Sequence, residues 1–133
     1  MPKLAVDTNV VARALADDGS VQSQRARRVF QNNAVFVAES VLLETEWVLR
    51  GVLKIERTQV NELLVALISS RDVDVADRPK SLRALSAHRD GMDFADALHL
   101  FSAAQCEAMM SFDREFAKRA EMLSDALPVQ EPK

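Results

Sequence analysis

The sequence has few of the residues that cross-link a chain or bend it sharply. Its 133 residues include one cysteine, three glycines, four prolines and no tyrosine. A single cysteine excludes an intramolecular disulfide and a zinc site built from several cysteines. Because Cys106 lies within the apolar run FSAAQCEAMM, we expect a buried, unreactive thiol. With 48% hydrophobic residues, the chain should fold as a compact globular protein.

Long hydrophobic runs are also missing. No apolar stretch approaches the roughly 20 residues that a membrane-spanning helix needs. The amino-terminal segment MPKLAVDTNVVARALADD reaches acidic residues within a few positions, so neither a signal peptide nor a membrane helix is expected. The sequence predicts a cytoplasmic protein with no membrane partner.

An excess of positive charge is the third absence. Seventeen basic and twenty acidic residues give a net charge of −3, which is the wrong sign for a protein that binds nucleic acid. This objection weakens if several of the acids are metal ligands, because bound divalent cations would neutralise them locally.

Short apolar runs alternate along the chain with segments of helical period. The runs predict buried strands at residues 4–6, 35–38, 73–76 and 108–112. Helices are predicted at residues 8–16, 22–31, 40–52, 79–88, 93–107 and 113–123, and one more begins with Thr58 as its N-cap. The alternation predicts an α/β fold of three layers, α/β/α, in which helices cover both faces of a short parallel sheet.

The length of the chain predicts a single domain, since domains of about 100 to 150 residues are the commonest. We place this domain at residues 1–126. Residues 127–133 contain two prolines and mixed charges, and we predict that they form a flexible tail.

Four carboxylates stand where ligand sites form in parallel sheets, outside the carboxyl ends of the strands. Asp7 and Asp113 directly follow predicted strands. Glu44 lies about one turn into a predicted helix, and Asp96 lies in the first turn of another. All four side chains could therefore point into one crevice.

Each of these acids also has a purely structural explanation. Asp7 and Asp113 could be N-caps of the helices that follow them, and Asp96 could favour the positive end of its helix. Glu44 is harder to explain in this way, because it lies in VLLETEWVLR among apolar neighbours that suggest burial. Glu46, two positions later, is expected to face solvent. A buried carboxylate needs a partner, since it is otherwise costly or becomes protonated.

Clustered carboxylates repel one another and raise one another's pKa values unless a cation is present. Oxygen ligands select hard ions, so Mg²⁺ or Mn²⁺ is the expected occupant of such a cluster. A site of this kind is suited to hydrolysis of phosphodiester bonds, because one metal activates water as the nucleophile and a second, if present, stabilises the leaving oxygen.

Four segments carry a resemblance to a known family. LAVDTNVVARAL, VFVAESVLLETEWVLR, MDFADALHLFSAA and AMMSFDREF resemble, in order and spacing, the four acidic motifs of PIN-domain nucleases. They are most similar to those of the VapC-type toxins of bacterial toxin–antitoxin pairs, from about residue 3 to residue 120. The resemblance implies that the metal-binding, catalytic acids are Asp7, Glu44, Asp96 and Asp113.

The resemblance also implies supporting roles. Thr8 and Asn9 beside the first acid, and Ser111 ahead of the fourth, would orient ligands or water through hydrogen bonds. Asp93 is a candidate fifth ligand that an N-cap role explains equally well. His99 stands where an aliphatic residue is expected, and it either donates to Asp96 or packs in the interior; His88 is expected at the surface.

VapC-type proteins are RNA-cleaving toxins that form homodimers and are silenced by a cognate antitoxin. By resemblance, we expect a Mg²⁺- or Mn²⁺-dependent endoribonuclease toxin that hydrolyses phosphodiester bonds in structured cellular RNA. A catalytically weak or inactive PIN-like module that binds RNA or protein is the alternative. An aspartyl phosphotransferase with Asp7 as nucleophile is disfavoured, because Asn9 replaces the second acid of the usual aspartate pair.

Several cationic and aromatic side chains remain open. Arg25, Arg27 and Arg28 form a local cluster, which is either a phosphate-binding surface or a solvated helix face. Arg13 and Arg50 lie elsewhere in the sequence. Trp47 and Phe94 sit in apolar helical patterns and are expected in the core or at a dimer interface rather than as base-stacking platforms.

Overall fold

A computed structural model describes residues 3–133 of the chain. The chain divides into two compact units, the first ending at Arg78 and the second running from Pro79 to Lys133. No helix within residues 3–133 is long and apolar enough to cross a membrane.

The first unit contains a small parallel sheet and most of the helices. Its strands are β1 (Lys3–Ala5), β2 (Ala34–Val37) and β3 (Val73–Val75), hydrogen-bonded in the order β1-β2-β3 and all parallel. Its helical segments are α1 (Thr8–Leu15), α2 (Val21–Asn32), α3 (Glu39–Trp47), a π-helix (Val48–Val52) and α4 (Arg57–Ser69). Each parallel pair is joined by helices, as crossover connections require.

The core of this unit is built on the central strand and on one face of α4. Val35 and Val37 of β2 have no exposed surface; being two residues apart they lie on the same face of the sheet, and that face is therefore covered. On α4, Val60, Leu64 and Ile68 recur every fourth residue and are also fully buried, as the predicted periodicity requires.

Two local predictions for this unit are wrong. The first strand is not buried, since all three residues of β1 are exposed; as an edge strand it has a partner on one side only. Thr58 is not an N-cap, because it lies inside α4. The helix begins at Arg57, and its N-cap is Glu56, whose side chain makes no capping hydrogen bond.

The predicted helix at 40–52 is two segments in the structure. The α-helix ends at Trp47 and continues as the π-helix Val48–Val52. Trp47 is 54% exposed, so the core alternative for this residue is wrong, and the dimer-interface alternative stays a prediction. Its indole ring lies against Gly51, 3.4 Å from the position that a Cβ atom on this glycine would take. Phe94, in contrast, is buried as predicted.

The second unit carries three helices and a two-stranded parallel sheet. Its helices are α5 (Arg78–Arg89, beginning on the last residue of the first unit), α6 (Phe94–Ser102) and α7 (Arg114–Glu121). Its strands are β4 (Met109–Met110) and β5 (Val129–Gln130). β5 lies within residues 127–133, which the sequence suggested were a tail.

The interior of the second unit corrects two predictions. His88 is fully buried rather than at the surface, because Ser81, Ala84, Leu85 and His88 form one buried stripe of α5; its ring meets Phe94 edge-on at 5.6 Å. Cys106 is exposed rather than buried. The helix α6 ends at Ser102, since no buried face continues beyond Phe101 to hold further turns.

Candidate metal centre

In the first unit, Asp7 lies between β1 and α1 and caps the helix. Its Oδ1 accepts a hydrogen bond from the backbone N–H of Val10 at 3.1 Å. The N-cap alternative for Asp7 is therefore confirmed. A carboxylate offers about four lone-pair directions on two oxygens, so this single bond leaves capacity for another partner on the exposed side chain.

Glu44 is joined to the start of α1 by a hydrogen bond. The hydroxyl of Thr8 donates to Oε1 of Glu44, which connects α1 to α3. The Glu44 side chain is exposed. Asp7 and Glu44 thus lie in the same unit, and Glu44 is hydrogen-bonded to Thr8, the residue that follows Asp7.

The burial predicted for Glu44 and Glu46 is reversed in the structure. The buried stripe of α3 and the π-helix contains Leu42, Thr45, Glu46 and Leu49, at spacings of three and four. Glu46 is 3% exposed, and its Oε2 accepts from Nε of Arg50 at 2.7 Å. Glu46 is thus the structural acid of this helix, and Glu44 faces away from its core.

Asn9 holds an arginine. Its side-chain oxygen accepts a hydrogen bond from Nε of Arg13 at 2.9 Å, one helical turn away on α1. Sequence reasoning assigned Asn9 to the support of ligands or water and left Arg13 unassigned. The signal was present in the sequence, since residues four apart on a helix are neighbours.

In the second unit, two of the predicted acids cap helices. Asp93 caps α6 and accepts from the N–H of Asp96 at 3.2 Å, and Asp113 caps α7 and accepts from the N–H of Phe116 at 3.1 Å. Ser111 fixes the turn before α7, because its hydroxyl oxygen accepts from the N–H of Asp113 at 3.0 Å. The capping alternatives for Asp93 and Asp113 are therefore confirmed.

Asp96 lies where its charged form is disfavoured. Burial raises its pKa first, and the nearby carboxylates of Asp93 and Asp113 raise it further. His99 opposes the shift through its positive charge, but its side chain is exposed, which corrects the packing alternative for this histidine. The second unit thus brings the carboxylates of Asp93 and Asp113 near enough to Asp96 to disfavour its charged form.

The donor chemistry of both sets fits a hard divalent cation. Every candidate ligand is a carboxylate, and repulsion among acids is what a bound cation relieves. Within residues 3–133, however, no three His, Cys, Asp or Glu side chains already stand in positions to hold a metal ion. The structure therefore groups Asp7 with Glu44, and Asp93 and Asp113 with Asp96, without a closed coordination shell.

Comparison with known families gives this arrangement a context. A model of the PIN domain family matches residues 4–122. This chain belongs to the PIN-domain family. The match contains all four predicted acids, and the helices with a small parallel sheet agree with the predicted three-layer α/β/α class. PIN domains are generally metal-dependent nucleases that bind divalent ions. A search of curated proteins returned no match.

Proposed function

We propose that this PIN-domain protein is a Mg²⁺- or Mn²⁺-dependent endoribonuclease that acts as the toxin of a toxin–antitoxin pair. The observation that carries the proposal is the proximity of the Asp93 and Asp113 carboxylates to Asp96, whose pKa they raise, in a chain of a nuclease family. An acid kept under repulsion has an electrostatic cost, which a functional cation would offset.

The residues proposed to hold the cation are Asp7, Glu44, Asp96 and Asp113, with Asp93 as a candidate fifth ligand. When bound, a divalent cation supplies Lewis-acid stabilisation of charge on a phosphodiester and makes water a better nucleophile. The hydroxyl of Thr8 would fix the orientation of Glu44. The hydroxyl of Ser111 would hold the turn from which Asp113 projects.

The first test is cleavage of RNA by the purified full-length chain. Total cellular RNA incubated with Mn²⁺ should be cut at discrete positions, and chelation by EDTA should stop the cutting. Mapping the new 5′ ends would identify the target, for which single-stranded loops of structured RNA are the expected class. RNA left intact by the wild-type protein in the presence of Mn²⁺, or cut equally well by the Asp7→Asn variant, would refute the nuclease.

The toxin role needs a test of its own. Induced expression should arrest growth of a bacterial host, and the Asp7→Asn variant should not. The proposal includes a homodimer, so sedimentation of the purified protein should give twice the mass of one chain. It also includes a cognate antitoxin. Co-expression with a small protein encoded beside this gene should restore growth. Cleavage of RNA without growth arrest would leave a nuclease that is not a toxin.

A second candidate function is that of a PIN-like module that binds RNA or protein without cleaving it. The helix-capping roles of the predicted acids favour it. Because Asp7, Asp93 and Asp113 each stabilise a helix start, they have a structural use that needs no metal. Calorimetric titration with Mn²⁺ separates the two readings. Saturable binding that Asp96→Asn weakens supports the nuclease, and no binding supports the module.

A further inference from the structure

A groove in the first unit runs between α1 and α2, beside Asp7. It has a volume of about 420 Å³, and its polar lining comes from Asp7, Asn9, Arg13, Gln22 and Arg25. We propose that this α1/α2 groove binds a phosphate of the RNA backbone next to the reacting one, through Arg13 and Arg25. The inference rests on the proposed function, which requires an RNA strand at Asp7.

Arg13 is held in place before any ligand arrives. Its side chain is half-buried, and Nε is used in the bond to Oδ1 of Asn9. That bond leaves both terminal nitrogens for another acceptor. A guanidinium group whose orientation is already fixed loses less conformational entropy when it binds a phosphate. Arginine usually contacts a phosphate through two parallel N–H···O hydrogen bonds.

The structure separates the three arginines that the sequence grouped together. Arg27 is engaged by other groups at the protein surface, since its Nε donates to the carbonyl of Ala14 at 3.1 Å and its guanidinium lies 3.4 Å from Asp17. Arg25 lines the groove, and within residues 3–133 its guanidinium has no hydrogen bond or ion pair. Arg28 is exposed and does not belong to the lining.

The polar groups of the lining, set among Val10, Ala26 and Val29, suit a backbone phosphate rather than a base. Among the described residues that line the groove there is no aromatic side chain, so it offers no platform on which a base could stack. Two guanidinium groups and the amides of Asn9 and Gln22 are suited to anionic oxygens. Because Asp7 lines the same groove, a strand whose reacting phosphate lies at Asp7 carries its neighbouring phosphates past these groups.

The test measures RNA binding in a cleavage-deficient background. Full-length Asp96→Asn protein would be titrated with a short fluorescein-labelled single-stranded RNA of mixed sequence, at several salt concentrations. Arg13→Gln and Arg25→Gln should each weaken binding by about tenfold, as loss of a hydrogen bond to a charged group predicts. Each should also reduce the slope of log affinity against log salt by about 0.7, the value for one phosphate of a single strand.

Arg28→Gln is the matched control. It removes the same charge from the same helix without touching the groove, and its effect on the salt slope should be small. If Arg28→Gln weakened binding as much as Arg25→Gln does, general surface charge would explain the data and the groove would be refuted. Melting temperatures of all three variants would show that each remains folded.

Asn9 is a positioning residue in this proposal, and a double-mutant cycle tests it. Asn9→Ala should weaken RNA binding in the presence of Arg13 and have little further effect once Arg13→Gln has been made. A structural role alone would lower the melting temperature and give additive losses. Additive losses in RNA affinity would therefore overturn the assignment of Asn9 to Arg13.

The outcome distinguishes this inference from the nuclease proposal. If wild-type protein cuts RNA while Arg13→Gln and Arg25→Gln leave its KM and salt slope unchanged, the groove fails and the nuclease stands. If binding depends on both arginines but no RNA is cut, the nuclease fails. Titration with polyglutamate tests an acidic protein as the partner instead. If Arg13→Gln and Arg25→Gln lost binding to polyglutamate but kept the RNA affinity of the parent protein, the RNA proposal would be overturned and the groove would be assigned to an acidic protein partner.

Discussion

Two carboxylates of the first unit, Asp18 and Asp74, and one of the second unit, Asp96, respond to folding in opposite ways. In the first unit, the hydroxyl and N–H of Ser20, with the hydroxyl of Ser23, lower the pKa of Asp18 to about 2. The ammonium group of Lys3, 2.9 Å from Asp74, lowers the pKa of that acid. In the second unit, burial and the carboxylates of neighbouring acids raise the pKa of Asp96.

The difference separates acids that serve the fold from an acid that the fold tolerates. Asp18 and Asp74 have donors or a cation beside them, so folding favours their charged forms. Asp96 loses water and gains like charges, so folding disfavours its charged form. An acid whose charged form is disfavoured by its surroundings is often functional, and removal of Asp96 should cost activity without costing stability.

The largest expected effect is that of Asp96→Asn. RNA cleavage with Mn²⁺ should fall by at least about 100-fold, since even residues that only support metal ligands are worth 10- to 100-fold. The metal-free variant should melt at the same temperature as the wild type or higher, because it relieves repulsion with Asp93 and Asp113. Cleavage of a fluorescent RNA and thermal unfolding monitored by circular dichroism measure the two effects.

Asp90→Asn serves as the control for this variant. Asp90 lies just after α5 in the same unit, is exposed, and is not among the proposed ligands. It should keep nearly full activity. A clear loss of stability in metal-free Asp96→Asn would break the comparison, because it would show that Asp96 supports the fold.

Glu44 and Glu46 repeat the comparison within one helix. Glu44→Gln should abolish most cleavage and leave the free energy of unfolding nearly unchanged. Glu46→Gln should lower the free energy of unfolding by about 2 kcal/mol, less than the 3–5 kcal/mol for fully buried pairs, because Arg50 remains 37% exposed. Urea unfolding and RNA cleavage at saturating Mn²⁺ would measure both variants. Exchanged phenotypes would contradict the orientation of α3.

Thr8→Val tests the hydrogen bond that supports Glu44. Removing the hydroxyl should reduce cleavage about 10- to 100-fold, the usual effect of losing a group that orients a metal ligand. Thr8→Ser keeps the donor and should restore most of the activity. If serine and valine gave the same loss, packing at the start of α1 rather than the hydrogen bond would be responsible.

The smallest effect is the pH dependence contributed by Asp18. Because its pKa is lower in the folded protein, its contribution to stability is fully present above the ordinary value of 3.8 and disappears as the pH falls towards about 2. Asp18→Asn should therefore flatten the fall in stability over this interval and leave RNA cleavage at neutral pH unchanged. Urea midpoints at several acidic pH values measure it, and parallel curves would contradict the hydrogen-bond assignment.

Sequence patterns predicted most elements because local signals and burial agree there. The runs around β2 and β3 and the four-residue spacing on α4 point to the same structure as the tertiary packing. Predictions of burial failed where they rested on a residue's immediate neighbours in sequence instead of on its angular position along the helix. His88 was expected at the surface, but its helical stripe is buried, and counting along that stripe would have found it.

The candidate site shows the same division. The order and type of the acids in the sequence were enough to predict Asp7, Glu44, Asp96 and Asp113 as candidates, because chemistry is carried by residue type and placement near strand ends. Burial was not determined in this way. Apolar neighbours suggested that Glu44 was inside, whereas the angular position on α3 buries Glu46 instead.

The sequence by itself determined the alternation of strands and helices, the carboxylate donor set and the family likeness, because these depend on residue type and spacing along one chain. Tertiary structure alone decided that Thr8 donates to Glu44 and that Arg25 lines the groove while Arg27 is engaged. It also decided that Asp96 is under repulsion from Asp113. Each of these depends on the distance between groups that packing brings together, and residue spacing alone does not encode that distance.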